Sequence, residues 1–406
     1  MRFLKLSLCS LLLLVSVLLS GCWDQYELRE LSVVTGLGID VLDDETIRLT
    51  VQVINPSELA SQEEGTGRSS AQNYETFAPT IQEAFRKLTE KAPRRGYYSH
   101  IASVVIGERA ARAGLTNFLD HFYRDHEIRT DFPIVIARGY EAKEILSVIP
   151  PIEEIASIHI MNSISYGEHS YSLVTATTLD DLFEKIVGPG IDPYLNGITI
   201  NGDETVSKQI ENVEEVKPIA FLQLGDMAIF REDQLVGWLT EEETKGLLYL
   251  TGDIQDTAET LPCPNGQEGS FVVETYATNV TMDITQEGDG LNVSINPEIQ
   301  GTISEVNCDQ LDITSKESHG YIHRALEQKI NELIDETLTR ARNEHVDFTG
   351  IGREVYREQP KYWKTVKNDW YEAFEQATIE INTEADVVES GDVNNTFNIE
   401  DYKHDH

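Results

Sequence analysis

Residues 315–343 read SKESHGYIHRALEQKINELIDETLTRARN, and Ile322, Leu326, Ile330, Leu333, Ile334 and Leu338 fall within them at steps of three and four. That spacing puts one apolar stripe along a long helix. The stretch just before it, 270–303, has the other period: 270–276, 280–286 and 290–303 alternate apolar and polar residues, and Asp289-Gly290 is a type I′ hairpin signal. The stripe needs an apolar partner, and the sheet needs cover on one face. Together they predict a C-terminal domain, 253–388, in which the helix lies on an antiparallel sheet and 377–388 adds a last strand. Residues 389–406 are an acidic, weakly apolar tail.

The other half of the chain alternates its elements. A hairpin is expected from 31–40 and 46–54, then a polar loop at 57–70 and an amphipathic helix over 80–91 with Ile81, Ala84, Phe85 and Leu88 on one face. A β-branched run at 101–106, a helix over 108–123, a strand at 132–137 and a short helix from Tyr140 follow. This order predicts an α/β N-terminal domain, 22–203. The acidic stretch 204–215 reads as a boundary, and 216–252 as a middle segment with strands at 219–230 and 234–238 and a helix at 241–250. The expected class is α+β, multidomain, with three parts.

Charge excludes some functions. The chain has 406 residues, 32 Lys and Arg against 70 Asp and Glu, and a formal charge of −38. Its hydrophobic fraction of 40% argues against wholesale disorder. A surface this negative repels phosphate backbones, so no nucleic acid is expected as a partner.

The first residues run against the average. Arg2 and Lys5 precede the 14-residue apolar run 6–19, LSLCSLLLLVSVLL. That is the n-region and h-region of a signal peptide, shorter than the ~20 residues of a spanning helix. Leu19-Ser20-Gly21-Cys22 then resembles the bacterial lipobox, with Cys22 as the lipidated residue. A thiolate is the nucleophile that takes up the diacylglyceryl group. Cleavage takes the charge from −38 to −40, because Arg2 and Lys5 leave with residues 1–21. A body so acidic is expected to be held off an anionic surface and to reach the membrane through its lipid and its partners, not through a basic face.

Of the four cysteines, Cys9 lies in the leader and Cys22 takes the lipid, which leaves Cys263 and Cys308. In an exported protein they form either a disulfide or two free thiols. No Cys/His spacing suggests zinc, so no metal is expected, and no cofactor beyond the covalent lipid.

The order of short motifs resembles the Ger(x)C family, the lipoprotein C-subunits of spore germinant receptors. Cys22-Trp23-Asp24, Glu27 to Glu30 and Gly36 to Asp40 are similar to its start. Ser99-His100, Val105-Ile106-Gly107-Glu108 and Gly114-Leu115 continue the match, as do Gly225, Ala228 to Phe230, Leu235 to Leu239 with Gly237, and Gly246. Asp347 to Gly352, with Gly350, then Trp363, Asp369-Trp370 and Phe374, resemble its D-x-x-G-x-G and W…DW…F elements. The resemblance runs from Cys22 to about Gly391. It implies a noncatalytic protein on the outer leaflet of the spore inner membrane. Its implied partners are an A-type and a transporter-like B-type integral membrane subunit, through which amino acids or sugars trigger germination.

Other readings fit less well. Gly36-Leu37-Gly38 lacks the third glycine of a dinucleotide fingerprint. Gly350-Ile351-Gly352 follows the long helix, so it is expected to form that helix's C-terminal turn, with Asp347 binding backbone donors, and not a phosphate cradle. His319 and His323 lack a third ligand, and His121 and His126, five apart, do not share a helix face. The runner-up function is a lipid-anchored solute-binding protein that serves a transporter, although two comparable lobes are not evident. A hydrolase would need a constellation such as G-x-S-x-G, which is missing.

Overall fold

Two β-sheets organise the chain in the computed structural model, which describes residues 31–389 apart from 55–68, 93, 169–172, 215, 289, 310 and 314. Leu19, Ser20, Gly21, Cys22, the turn residue Asp289 and nearly all of the acidic tail lie outside the described residues.

The first sheet has nine strands: β1 (Leu31–Val41), β2 (Ile47–Ile54), β3 (Ala71–Ala78), β4 (Arg95–Tyr97), β5 (Ser103–Gly107), β6 (Ile134–Ala137), β7 (Tyr194–Gly202), β8 (Ala220–Arg231) and β9 (Gln234–Trp238). Their order is β3-β2-β1-β5-β6-β7-β8-β9, with β4 beside the first residues of β1. β1, β5, β6 and β7 are parallel, and the flanks on either side are antiparallel. SVVIG in β5 and IVIA in β6 are buried at every position, as strands covered on both faces must be. The covering helices are α1 (Ile81–Lys91), α2 (Glu108–Ala113), α3 (Thr116–Arg124), α4 (Ala142–Ile145), α5 (Ala156–Glu168) and α6 (Leu179–Val187), followed by the short turns α7 (Glu204–Ser207) and α8 (Glu211–Glu214). An apolar cluster lies on each face.

The second sheet follows the order β10 (Thr257–Pro262), β11 (Ser270–Glu287), β12 (Gly290–Asn307) and β13 (Thr378–Ile381), with β14 (Glu384–Glu389) also on β12. Its helices are α9 (Glu241–Thr251), α10 (Lys316–Glu344), α11 (Ile351–Glu358), α12 (Pro360–Val366) and α13 (Trp370–Gln376). All six stripe residues of α10 are buried in the core that this sheet forms. The chain is mixed α+β and multidomain. No helix among the described residues is long and apolar enough to cross a membrane.

Several expectations change. The helix over 108–123 is two helices, broken at Gly114, whose φ of 114° no helix accommodates. Residues 270–286 form one strand and not two, because a bulge between Thr275 and Ala277 re-phases the alternation. The second sheet is not antiparallel throughout: β13 and β14, separated at Asn382-Thr383, both join β12 in parallel after the helical return. Residues 216–252 do not stand as a middle unit. β8 pairs with β7 and extends the first sheet, whereas α9 packs on α10 in the second core. A Cβ on Gly246 of α9 would lie 2.1 Å from the Leu333 carbonyl oxygen of α10, so glycine is what lets the two helices cross this closely. Strands β3, β4, β7 and β10 are additions to the sequence reading.

Candidate functional site: the seam between the sheets

The D-x-x-G-x-G motif lies where the two sheets meet. α10 ends at Glu344 with His345 in the left-handed conformation (φ 52°), so the C-terminal cap belongs to His345 and not to Gly350. Gly350 (φ 79°) instead opens α11, which corrects the expected C-terminal turn. A helix N-terminus presents free N–H groups and attracts an anion. Here the anion is the chain's own: the Asp347 carboxylate accepts from Gly350 N (3.1 Å), Gly352 N (2.7 Å), Thr349 Oγ1 (2.6 Å) and Trp370 Nε1 (2.9 Å). The cradle for a phosphate is filled from within.

Asp347 also reaches the first sheet. Its N–H donates to Asp192 Oδ2 (2.7 Å), and Asp192 N–H donates to the Asp347 carbonyl (2.8 Å). Asp192 Oδ1 accepts from Glu232 N (2.8 Å) and from the Tyr371 hydroxyl (3.1 Å). Asp192 precedes β7 and Glu232 lies in the β8–β9 turn, so four chain segments share two buried carboxylates. Burial pushes the Asp347 carboxyl up to about 6 against the pull of its donors, and the Asp192 charge adds to the rise. Burial raises Asp192 as well, while the Asp347 and Glu232 N–H groups draw it down.

Two glycines make the contact possible. A Cβ on Gly190 would stand 2.3 Å from the Gly352 carbonyl carbon, and one on Gly352 would stand 2.7 Å from the Trp370 indole and 2.8 Å from the Gly190 oxygen. The Gly188-Pro189-Gly190 turn and the 350–352 turn therefore pack backbone to backbone. Gly237 marks a second point on the seam, in β9 under α10. A Cβ there would come within 3.2 Å of Arg340, which donates to the Trp238 carbonyl (3.4 Å) and pairs with Glu344 (3.1 Å). Apolar residues join the two points, since Tyr194, Met227, Ile229 and Leu239 belong to the core of the second sheet. Asp347, Gly350, Gly352, Trp370 and Gly237 are thus seam residues, and Trp363 packs on Trp370 with ring centres 5.2 Å apart.

Gly107 and Glu108 lie elsewhere, at the carboxyl ends of the parallel strands, where open α/β sheets hold ligands. A cleft of about 730 Å³ opens there. Asp40, at the end of β1, accepts from Ala142 N (2.7 Å) and Lys143 N (3.2 Å). A Cβ on Gly107 would be 2.3 Å from its Oδ1. Burial raises the Asp40 carboxyl to about 6. Buried Arg48 lies 2.9 Å from Glu141 and 3.7 Å from Asp40. Glu108 pairs with Arg112 at 2.7 Å. Ion pairs hold most of the charged groups of this cleft, although Arg48 Nε and Nη1 are buried without a hydrogen-bond partner among the described residues.

Cys263 and Cys308 form a disulfide that ties the start of the second sheet to the end of β12. His323 hydrogen-bonds the Val387 backbone, and His121 packs against Phe85. Among the described residues no group of three or more His, Cys, Asp or Glu is placed to hold a metal ion. One constellation has no sequence signature: Glu153 meets His159 Nδ1 at 2.7 Å, and Ser163 Oγ lies 3.4 Å from Nε2. Ser163 sits inside α5, where the backbone N–H groups bond the preceding turn and cannot form an oxyanion hole. The trio is therefore an i,i+4 contact on a helix, extended by a carboxylate.

Two sheets, coupled through buried carboxylates at the seam, define a scaffold of two joined domains. Residues 24–200 match the family model described as the spore germination protein N-terminal domain. Residues 225–391 match the model for the C-terminal domain of spore germination B3/GerAC-like proteins. The chain belongs to this Ger(x)C family of spore germination proteins. It is 28% identical over 397 residues to spore germination protein KC of Bacillus subtilis (strain 168), covering 96% of this chain and 97% of that one. Spore germination protein B3 of the same organism is 24% identical over 390 residues, with 95% and 98% covered. A crystal structure of the GerBC protein superposes with a TM-score of 0.52 at 18% identity, covering 87% of this chain and 97% of that chain, which is a likeness of fold.

Proposed function

We propose that this protein is the lipid-anchored subunit of a nutrient germinant receptor. In this reading it is exported by residues 1–21, acylated on Cys22, and held on the outer face of the cell membrane that becomes the spore inner membrane. It acts without catalysis, by assembling with an A-type and a B-type integral membrane subunit. The observation that carries the reading is one of position: the family match begins at residue 24, directly behind Leu19-Ser20-Gly21-Cys22. Two or three acyl chains anchor firmly where a single chain is marginal, at ~0.8 kcal/mol per buried methylene. The test is to purify the protein from spore membranes, weigh its N-terminal peptide and identify what co-purifies. A diacylglyceryl mass on Cys22, loss of membrane retention in Cys22→Ala, and recovery of two polytopic subunits are expected. An unmodified Cys22 with retention unchanged refutes the anchor, and recovery with a transporter alone refutes the receptor.

A further inference from the structure

The described chain starts at Leu31, and Leu31, Ser32 and Val33 pair in parallel with Arg95, Gly96 and Tyr97. Eight residues lie between Cys22 and Leu31, a tether of nine steps that spans at most about 30 Å. β1 then carries the chain roughly 33 Å further, to the Asp43-Asp44 turn at its other end. A tether of that length permits either end of β1 to face the bilayer, so charge decides between them. Between Arg86 and His100 the chain has five Lys or Arg against one Glu, in a protein where acids outnumber bases 70 to 32. Arg86, Lys91, Arg94, Arg95 and His100 are exposed. Arg95 pairs with Glu127, whereas Arg94 has no ion-pair partner among the described residues. Half-buried Tyr97 packs on the His100 ring at 5.3 Å, an aromatic body with a polar tip of the kind that sits at a membrane interface. The far end of β1 has the opposite sign: Asp40, Asp43, Asp44, Glu108, Glu141 and Glu144 line the cleft there against Arg48 and Arg109.

We propose that the edge formed by residues 86–100 is the face this protein lays on anionic lipid headgroups, with the acid-lined cleft turned away from the bilayer. The inference rests on the lipid anchor proposed at Cys22. It replaces the expectation that the membrane is reached through lipid and partners and not through a basic face, because the overall charge conceals this edge. Each basic side chain near an anionic surface strengthens binding roughly fivefold, so Arg94 and Arg95 together give about 25-fold. On a tethered body that is enough to set orientation.

The test replaces acylation with a neutral attachment, so that its failure is separate from failure of the lipid reading, which the mass of the Cys22 peptide decides. The chain from residue 23, with Cys263 and Cys308 oxidised, is held through an N-terminal histidine tag on vesicles of nickel-chelating lipid in phosphatidylcholine, with and without phosphatidylglycerol. Energy transfer to a headgroup acceptor is read from a fluorophore on Thr89→Cys and, separately, on Asp43→Cys. With phosphatidylglycerol, transfer from position 89 should exceed that from position 43. The difference should vanish without anionic lipid, at high salt, and in Arg94→Gln/Arg95→Gln, which should also weaken untethered binding about 25-fold. Equal transfer from both positions on anionic vesicles overturns the proposal. So does an asymmetry that ignores lipid charge, the result expected if Asp24, Glu27 and Glu30 of the tether cover the basic edge themselves.

Discussion

Gly352→Ala tests whether the seam is as closely built as its distances say. The added methyl would stand 2.7 Å from Trp370 Cε2 and Nε1 and 2.8 Å from the Gly190 oxygen, closer than real Cβ contacts come. Gly190 cannot yield, because its own backbone abuts Gly352. The indole must therefore move by about 0.7 Å, which stretches its 2.9 Å bond to Asp347 beyond hydrogen-bonding range. Overpacking costs about 1–3 kcal/mol, and loss of a hydrogen bond to a charged group a further 1.5–3 kcal/mol. Replacing glycine in a first helical turn returns about 0.5–1 kcal/mol. The net expectation is about 3 kcal/mol, read as a lowered urea midpoint of the chain from residue 23 by tryptophan fluorescence and circular dichroism. Trp370→Phe removes the atoms that collide, so in that background Gly352→Ala should cost only about 1 kcal/mol. An unchanged midpoint for Gly352→Ala, or strictly additive costs in the double variant, would refute the reasoning.

Two further outcomes are expected. Because the folded-state Asp347 carboxyl is raised from 3.8 to about 6, its protonated form favours folding: that contribution is complete below pH 3.8 and is lost as pH rises through 6, amounting to of order 3 kcal/mol. The stability difference between wild type and Asp347→Asn should therefore change between pH 4 and 7, with the wild type losing ground as pH rises, and a flat difference would contradict the burial argument. Reducing the Cys263–Cys308 bridge, whose sequence separation is 45, should destabilise by about 4 kcal/mol on loop entropy; equal urea midpoints with and without reductant would count against a structural role.

Much of the fold was legible because burial left its period in the residues. The α10 stripe, the 290–303 alternation and the apolar runs of β5 and β6 each identify an element and its buried side. β3 was hidden because an edge strand packs only part of one face: its sequence AQNYETFA keeps just Thr76 and Ala78 buried. The seam was half legible. Asp347 reads as an acceptor of backbone donors, as its place before two glycines suggests. Its pairing with Asp192 is 155 residues distant in sequence and leaves no local pattern. The position of Gly350 was misread because the acceptable left-handed cap, His345, is not a glycine. The basic edge was hidden by an average taken over the whole chain.

The parallel docking of β13 and β14 onto β12 has a consequence for the order of assembly. β12 is an 18-residue strand of alternating apolar residues, and among the described residues its second edge is covered by Thr378–Ile381 and Glu384–Glu389. Until the last part of the chain has emerged and folded back, that edge offers unpaired backbone to any passing strand. The chain is thus most prone to aggregation just before residues 378–389 become available to fold back. A chain truncated ahead of residue 378 would be expected to clump even though its first sheet is intact.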